Sequence, residues 1–210
     1  MYDIKHESKG LLSHGVSTCA GCELEIEMRN VLDTLDNDVI IIIPPGCAAL
    51  FSGFCSETNL KIPGYQGNLE NTASSASGVR AALDALGNDH MTVLAFAGDG
   101  AIVDMGLQSM SGAFERGDKI LYICYDNETY MNTGNQASSS TPLYSSTTTT
   151  PAGKQTGRKY LGQIAIAHNI PYVATASIHN LADLKRAELV CSVQQRHFVW
   201  AIVTLQKKSS

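Results

Sequence analysis

Short apolar runs alternate along this chain with segments of helical periodicity. The run VIIII at Val39–Ile43 is β-branched and stops at a Pro-Pro pair, which is typical of a strand buried on both faces. The pattern predicts four further strands, at residues 92–98, 119–127, 171–177 and 197–205. Runs of this length are too short for helices and are bounded by turn residues, so a strand interpretation is favoured.

Between the apolar runs, apolar side chains recur at helical intervals. In residues 23–35, for example, Leu24, Met28 and Val31 lie three or four positions apart. Glycines close two of the other segments, at Gly87 and Gly117. The predicted helices cover residues 23–35, 70–87, 101–117, 157–169 and 178–190. Strands that alternate with helices predict an α/β fold, a mostly parallel sheet flanked by helices, formed by residues 1–210 as one domain.

Composition narrows the class of protein without identifying it. The 210 residues are 44% hydrophobic and 17% charged, which suffices for a core, and the formal net charge of -5 argues against nucleic acid as a partner. No apolar run reaches the length of a membrane span, and the N-terminus shows no signal peptide. We therefore expect a cytoplasmic protein that binds neither membrane nor nucleic acid.

Polar turns that follow three of the predicted strands are the candidate ligand sites: PPGCAAL, AGDGAIVD and YDNETYMNTGNQ. Ligands of parallel sheets bind at the carboxyl ends of the strands. Gly98, Asp99 and Gly100 form one such turn, where glycines allow a diphosphate to approach the backbone, although a mere tight turn is an equal alternative. Asn127 follows the next strand, and Mg²⁺ prefers oxygen ligands of this kind. We expect the Asp99 carboxylate, the Asn127 amide oxygen and a main-chain carbonyl near Thr129 to fit this ion.

Six cysteines are spread along the chain, at positions 19, 22, 47, 55, 124 and 191. Cys124 lies within an apolar run and is predicted to be a buried core thiol. The pair Cys19 and Cys22 is compatible with a redox dithiol, a zinc half-site or an iron–sulfur half-site. Zinc would require a second pair of ligands, which the sequence does not offer, and His14 is more typical of a surface residue.

Several longer motifs resemble a known family. The spacing of GDG and Asn resembles the thiamine diphosphate motif. The chain is also similar to the β subunit of pyruvate:ferredoxin oxidoreductase and related 2-oxoacid:ferredoxin oxidoreductases. The segments that carry this similarity are CAGC, GNLENTASSASGVRAAL, AFAGDGAIVDMGLQSMSGA, YDNETYMNTGNQ and TPLYSSTTTTPAGK. The resemblance covers residues 14 to 178. It implies a thiamine diphosphate-binding fold and oxidative decarboxylation of a 2-oxoacid, with pyruvate first, to acyl-coenzyme A and CO₂. Electrons would pass through an iron–sulfur cluster to ferredoxin.

The resemblance also implies roles for individual positions. Three residues would hold Mg²⁺: Asp99, Asn127 and, through its carbonyl, Thr129. Five would surround the diphosphate and the thiazolium: Gly98, Gly100, Asn132, Thr133 and Gly134. Gly46 and Cys47 would lie close to the cofactor, and Asn132 is the predicted catalytic residue. The chain would need an α subunit and other subunits, because the glutamate that activates the cofactor comes from elsewhere, so we expect the isolated chain to be inactive.

The cysteines match the family only in part. Cys19, Cys22 and Cys47 correspond to three ligands of a [4Fe–4S] cluster, which usually takes four thiolates. The family's fourth cysteine lies in a Pro-Cys-Pro segment after the last strand, where this chain has QKKSS, and Cys191 precedes that strand. Residues 180–210 therefore depart from the family, whereas residues 1–22 form a cysteine-bearing segment. A chain that is a fragment or frame-shifted version of a longer subunit is one hypothesis.

Two alternative functions remain possible at this point, and the role of one long segment is undecided. A non-oxidative thiamine diphosphate-dependent decarboxylase would share GDG and Asn without needing the cysteines, and a non-catalytic fragment would bind its partner without turnover. The Ser- and Thr-rich residues 137–154 show no periodicity and directly follow the last of the three polar turns. Loops of this length are usually functional or disordered, and we expect a lid or a partner contact.

Overall fold

The sheet that the apolar runs predict is present in a computed structural model of the chain, which describes residues 10–35, 37–53, 58–194 and 200–205. Cys55 and residues 1–9 of the predicted N-terminal arm lie outside the described residues. Six strands form one sheet in the order β2-β1-β3-β4-β8-β7, and every neighbouring pair is parallel. Their bounds are β1 Val39–Ile43, β2 Gly64–Gln66, β3 Thr92–Gly98, β4 Leu121–Asp126, β7 Tyr172–Ala176 and β8 Trp200–Leu205.

All five predicted strands are thus confirmed within the described residues, which leave out residues 197–199 of the last one, and the sequence pattern missed three short strands there. β2 is an exposed edge strand of three residues, too short to carry an apolar pattern. The other two form an antiparallel hairpin after β4, with β5 at Thr129–Tyr130 and β6 at Gln136–Ala137. This hairpin is formed mainly by the polar turn after β4, which the sequence predicts to be a ligand site.

The described part of the chain also contains six α-helices: α1 Glu23–Leu35, α2 Ala49–Ser52, α3 Thr72–Ala85, α4 Leu107–Arg116, α5 Leu161–Ala167 and α6 Leu181–Gln194. The helix predicted for residues 101–117 is divided, because Gly100–Met105 form a π-helical segment that ends at Gly106 before α4 begins. Such π-helical segments are rare and occur frequently at functional sites. The helix predicted for residues 157–169 begins only at Leu161, which leaves the four preceding residues free to contact the site.

The described residues form two large core clusters, one on each face of the sheet, and a small third cluster of Ala176, Leu184 and Ala187. Alternate residues of the strands point to opposite faces. Ile41, Leu94 and Ile123 therefore pack with α1 on one face, and Val93 and Cys124 pack with α3, α4 and α5 on the other. Cys124 is buried there, as predicted from its apolar run. None of the described helices is long and apolar enough to cross a membrane.

Candidate active site

A pocket opens at the carboxyl ends of β1, β3 and β4, where the sequence pattern placed the ligand site. Nine of the ten predicted cofactor-binding residues line it: Gly46, Cys47, Gly98, Asp99, Gly100, Asn127, Thr129, Asn132 and Thr133. The tenth, Gly134, is not among the lining residues and instead takes a positive φ of 116° in the β5–β6 turn. Cys19 and Cys22 do not line the pocket either.

The parallel pairing of β3 with β4 brings the two polar turns together. Gly98 at the end of β3 is aligned with Tyr125, one residue before the end of β4. Asp99 and Asn127 therefore leave the same edge of the sheet from adjacent strands and line one pocket. Their separation of 28 residues in sequence reflects one helix-containing crossover between neighbouring strands.

The turn after β4 is held in a tight conformation by its own side chains. An Asp126 carboxylate oxygen accepts a hydrogen bond from the Glu128 N–H at 3.0 Å, and Asn127 Oδ1 accepts the Thr129 N–H at 3.3 Å. Glu128 adopts a positive φ of 65°. The Arg158 guanidinium spans the turn, with 2.8 Å contacts to the carboxylates of both Asp126 and Glu128. These contacts fix the direction in which Asn127 enters the pocket.

The pocket holds a buried carboxylate whose charge a divalent cation would neutralise. Asp99 is only 1% exposed, and its pKa is raised to about 7, first by burial and then by the charge of Asp126. Burial likewise raises the pKa of Asp126 to about 6, although the charge of Arg158 opposes this change. Among the described residues, the buried Thr129 hydroxyl has no hydrogen-bond partner. A buried carboxylate beside an amide oxygen and an orphaned hydroxyl fits Mg²⁺, which takes oxygen ligands.

Two tyrosines that the sequence reasoning missed shape the glycine turn. The Tyr130 ring lies against Gly100, where an added Cβ would be 2.3 Å from a ring carbon, and its hydroxyl donates to Asp104 at 3.0 Å. Tyr125 packs in the same way against Gly98. The two glycines are therefore needed for space, and both tyrosines could have been suspected because they flank the predicted Asn127 turn.

The Ser- and Thr-rich residues 137–154 contact this site directly. Ser138 is buried and donates its hydroxyl hydrogen to Asp99 Oδ2. The Thr141 hydroxyl donates to the Glu128 carbonyl, and the Lys154 ammonium donates to the Thr141 carbonyl at 2.7 Å. Sequence composition alone left this segment as a lid or a partner contact. Its packing shows that it also braces both turns of the pocket.

The cysteines lie to one side of the pocket. Cys47 lines the pocket, and its sulfur lies 3.9 Å from the Asn127 amide nitrogen. Both Cys47 and Cys22 pack against the core cluster on the α1 face of the sheet. Burial raises the pKa of Cys47, and the charges of Cys22 and Cys19 raise it further. Within the described part of the chain, however, no three His, Cys, Asp or Glu side chains are arranged to hold a metal ion. The thiols therefore fit an iron–sulfur cluster only in part.

A parallel sheet whose glycine turn and Asn turn meet over a buried carboxylate defines a thiamine diphosphate-binding domain. Comparison with known families agrees: residues 45–198 match the family described as thiamine pyrophosphate enzyme, C-terminal TPP binding domain. The chain belongs to this family. The matched region extends past residue 180, into the part of the chain that we expected to depart from the motifs of the β subunits.

Curated relatives show which members of this family the chain resembles. The chain is 46% identical over 180 residues to pyruvate synthase subunit PorB of Methanothermobacter thermautotrophicus, covering 83% of this chain and 62% of the relative. It is 42% identical over 182 residues to ketoisovalerate oxidoreductase subunit VorB of Pyrococcus abyssi, covering 82% and 58%. The predicted resemblance to these β subunits is confirmed. The chain thus spans less than two thirds of the length of either relative.

A solved structure shows the same fold. The 2-oxoglutarate:ferredoxin oxidoreductase from Magnetococcus marinus, with 2-oxoglutarate, coenzyme A and succinyl-CoA bound, superposes with a TM-score of 0.80 at 18% identity. The match covers 97% of this chain and 68% of that one. At this level of identity the comparison supports the fold that the sequence predicted, the thiamine diphosphate-binding α/β fold.

Proposed function

We propose that this chain is the β subunit of a 2-oxoacid:ferredoxin oxidoreductase that acts on pyruvate. The observation that carries the proposal is the convergence of the Gly98-Asp99-Gly100 turn and Asn127 over one pocket at adjacent strand ends. The similarity to PorB and VorB favours this reaction over other thiamine diphosphate chemistry. Pyruvate is preferred to a branched-chain acid because PorB is the more similar of these two relatives.

The residues of the pocket would divide the binding between them. An Asp99 carboxylate oxygen, Asn127 Oδ1 and the Thr129 carbonyl would hold Mg²⁺. Gly98 and Gly100 would admit the diphosphate to the backbone, together with Thr133 and Gly134. When bound, thiamine diphosphate supplies the electron sink for decarboxylation. We assign the catalytic role to Asn132, which lines the pocket from the β5–β6 turn and can hydrogen-bond the reacting 2-oxoacid.

Exposed apolar side chains on the elements that form the pocket support the need for other subunits. Met131 lines the pocket and is 38% exposed, and Met105 follows the glycine turn at 48%. Leu143 and Tyr144 are exposed on the bracing segment, residues 137–154. Single exposed apolar residues are common, but several on the elements that form one ligand pocket favour a protein contact. We assign this surface to the α subunit, which would close the pocket against water and supply the activating carboxylate.

The redox part of the proposal involves the three cysteines beside the pocket. Cys19, Cys22 and Cys47 would bind an iron–sulfur cluster, and ferredoxin and coenzyme A would be the electron and acyl acceptors. Support comes from the position of Cys47 in the pocket wall and its electrostatic proximity to Cys22. The fourth ligand is not identified, so no reaction step is derived through the cluster. We place the protein in the cytoplasm.

Binding and turnover can be tested separately. Titration calorimetry of the full chain with thiamine diphosphate should show binding that depends on Mg²⁺, and the same chain should not reduce a viologen dye with pyruvate. Co-expression with its partner subunits should produce dye reduction that requires both pyruvate and coenzyme A. Absence of Mg²⁺-dependent binding would refute the cofactor site. Dye reduction by the assembled complex with another 2-oxoacid but not with pyruvate would refute the substrate assignment.

The cluster requires its own measurement. The chain would be reconstituted anaerobically with iron and sulfide, and its iron content and the EPR spectrum of the reduced protein recorded. A [4Fe–4S] signal that is lost in Cys47→Ser but kept in Cys124→Ser, a change at the buried core thiol, would support the assigned ligands. A chain without bound iron would contradict the cluster assignment and leave the cofactor site untouched.

A further inference from the structure

We propose that Ser138 is a positioning residue that makes Asp99 a one-oxygen ligand and so selects Mg²⁺ over Ca²⁺. The inference rests on the proposed function, because that function assigns Asp99 to the metal. Ser138 itself lies outside the predicted cofactor-binding set and belongs to the bracing segment, residues 137–154.

The direction of the Ser138 hydroxyl is fixed by its neighbours. Ser138 is 4% exposed, and its oxygen accepts a hydrogen bond from the Ser140 N–H at 3.1 Å. With that lone pair occupied, its hydrogen is donated to Asp99 Oδ2. The nearby Thr141 hydroxyl donates its own hydrogen to the Glu128 carbonyl, so it does not compete for Asp99. One oxygen of the Asp99 carboxylate is thus already engaged.

The backbone around Ser138 holds it in place relative to both turns of the pocket. The Ser138 N–H donates to Thr141 Oγ1 at 2.9 Å, and Thr141 is bonded in turn to the carbonyl of Glu128, next to Asn127. Lys154 adds a 2.7 Å hydrogen bond to the Thr141 carbonyl. Ser138 is therefore fixed to the same framework as Asn127, so that the free oxygen of Asp99 keeps one direction.

The two cations differ in how they use a carboxylate. Mg²⁺ requires near-octahedral geometry at about 2.0–2.1 Å and takes one or two carboxylates, whereas Ca²⁺ takes roughly 6–8 oxygens in flexible geometry, often from both oxygens of one carboxylate. A carboxylate with one oxygen held by Ser138 offers a single, oriented oxygen. That arrangement suits Mg²⁺ and withholds the second oxygen that Ca²⁺ would use.

The test compares metal affinities of the full chain in the presence of thiamine diphosphate. Bound Mn²⁺ is followed by EPR and displaced with Mg²⁺ or with Ca²⁺, for wild type, Ser138→Ala and the nearly isosteric Ser138→Cys, whose thiol is a weak donor. Ser139→Ala is the matched control, because Ser139 contributes to this network through its backbone N–H, which donates to Asp104 at 3.1 Å. Circular dichroism checks that each variant is folded.

We expect Ser138→Ala and Ser138→Cys to weaken Mg²⁺ binding by roughly 10–100-fold, the usual effect of removing a group that orients a metal ligand. Ca²⁺ binding should weaken less, so that the ratio of the two affinities moves toward Ca²⁺, and Ser139→Ala should match wild type. Equal losses for both cations, or no loss, would overturn the role of Ser138 alone. A wild-type chain that binds no Mn²⁺ would overturn the metal site of the proposed function as well.

Discussion

Replacement of Asp99 by asparagine is expected to stabilise the metal-free chain at alkaline pH while abolishing metal binding. The Asp99 carboxylate is buried, and its pKa is raised from 3.8 to about 7. The folded state therefore binds this proton more tightly than the unfolded state does. The contribution of Asp99 to stability is therefore full below about pH 3.8 and is lost as the pH rises from there through about 7, because the unfolded chain then releases the proton more readily than the buried carboxyl does.

The size of the effect follows from this difference in pKa. The folded and unfolded values differ by about 3 pH units, and each unit corresponds to about 1.4 kcal/mol, which gives a cost of roughly 4 kcal/mol at pH 8. Asparagine is nearly isosteric, carries no charge and still offers Ser138 an acceptor oxygen. In a domain of this size, 1 kcal/mol moves Tm by about 2–4 °C, so Asp99→Asn should raise Tm by roughly 8–16 °C at pH 8.

The measurement is thermal unfolding by circular dichroism in EDTA at several pH values. The gain in Tm should be smallest near pH 4, where the Asp99 carboxyl is protonated in the folded chain and still about half protonated in the unfolded chain, and should grow until it levels off above about pH 7. Asp33→Asn, the same change at an exposed position, should leave Tm close to that of wild type. An Asp99→Asn variant that is no more stable than wild type at pH 8 would refute the reasoning that burial makes this charge costly.

Two further changes test the framework around the pocket. Tyr125→Phe should lower the free energy of unfolding by about 1–3 kcal/mol, because it leaves the buried Ala48 N–H without a partner. In the wild type this N–H donates to the tyrosine oxygen at 3.1 Å. Equal urea midpoints for the variant and the wild type would contradict this reason. Gly106→Ala should destabilise the fold strongly, since the new Cβ would lie 2.3 Å from the Ala101 carbonyl oxygen. Its control is Gly78→Ala in α3, where the new Cβ meets no atom within 4 Å and should stabilise the helix by about 0.5–1 kcal/mol. A Gly106→Ala chain as stable as wild type in the same titration would show that the backbone at this bend can move freely.

The fold was largely predictable because its signals are local. The β-branched run of β1 and the apolar runs of β3 and β4 are continuous in sequence, and parallel strands that are buried on both faces need such runs. The edge strand β2 escaped prediction because its three residues are exposed and carry no such pattern. The π-helical segment at Gly100–Met105 was also missed, since its helical spacing looks like the start of α4.

Sequence by itself determined the chemical identity of the candidate site. Asp99 and Asn127 follow two consecutive parallel strands, and the rule that carboxyl ends share one edge was enough to bring them together before any coordinates. The motif around them also identified the family. The cysteine pattern was less decisive, because three thiols in sequence leave both the fourth ligand and their mutual geometry open.

Only the tertiary structure decided how the side chains of the candidate site are held in place. Ser138 lies 39 residues from Asp99 in sequence, and Arg158 lies 32 residues from Asp126, so no local periodicity connects them. Their contacts depend on where residues 137–159 return over the sheet edge, which is set by packing and hydrogen bonding rather than by propensity. The raised pKa of Asp99 has the same origin, because burial is a property of the assembled pocket and not of the Gly-Asp-Gly turn.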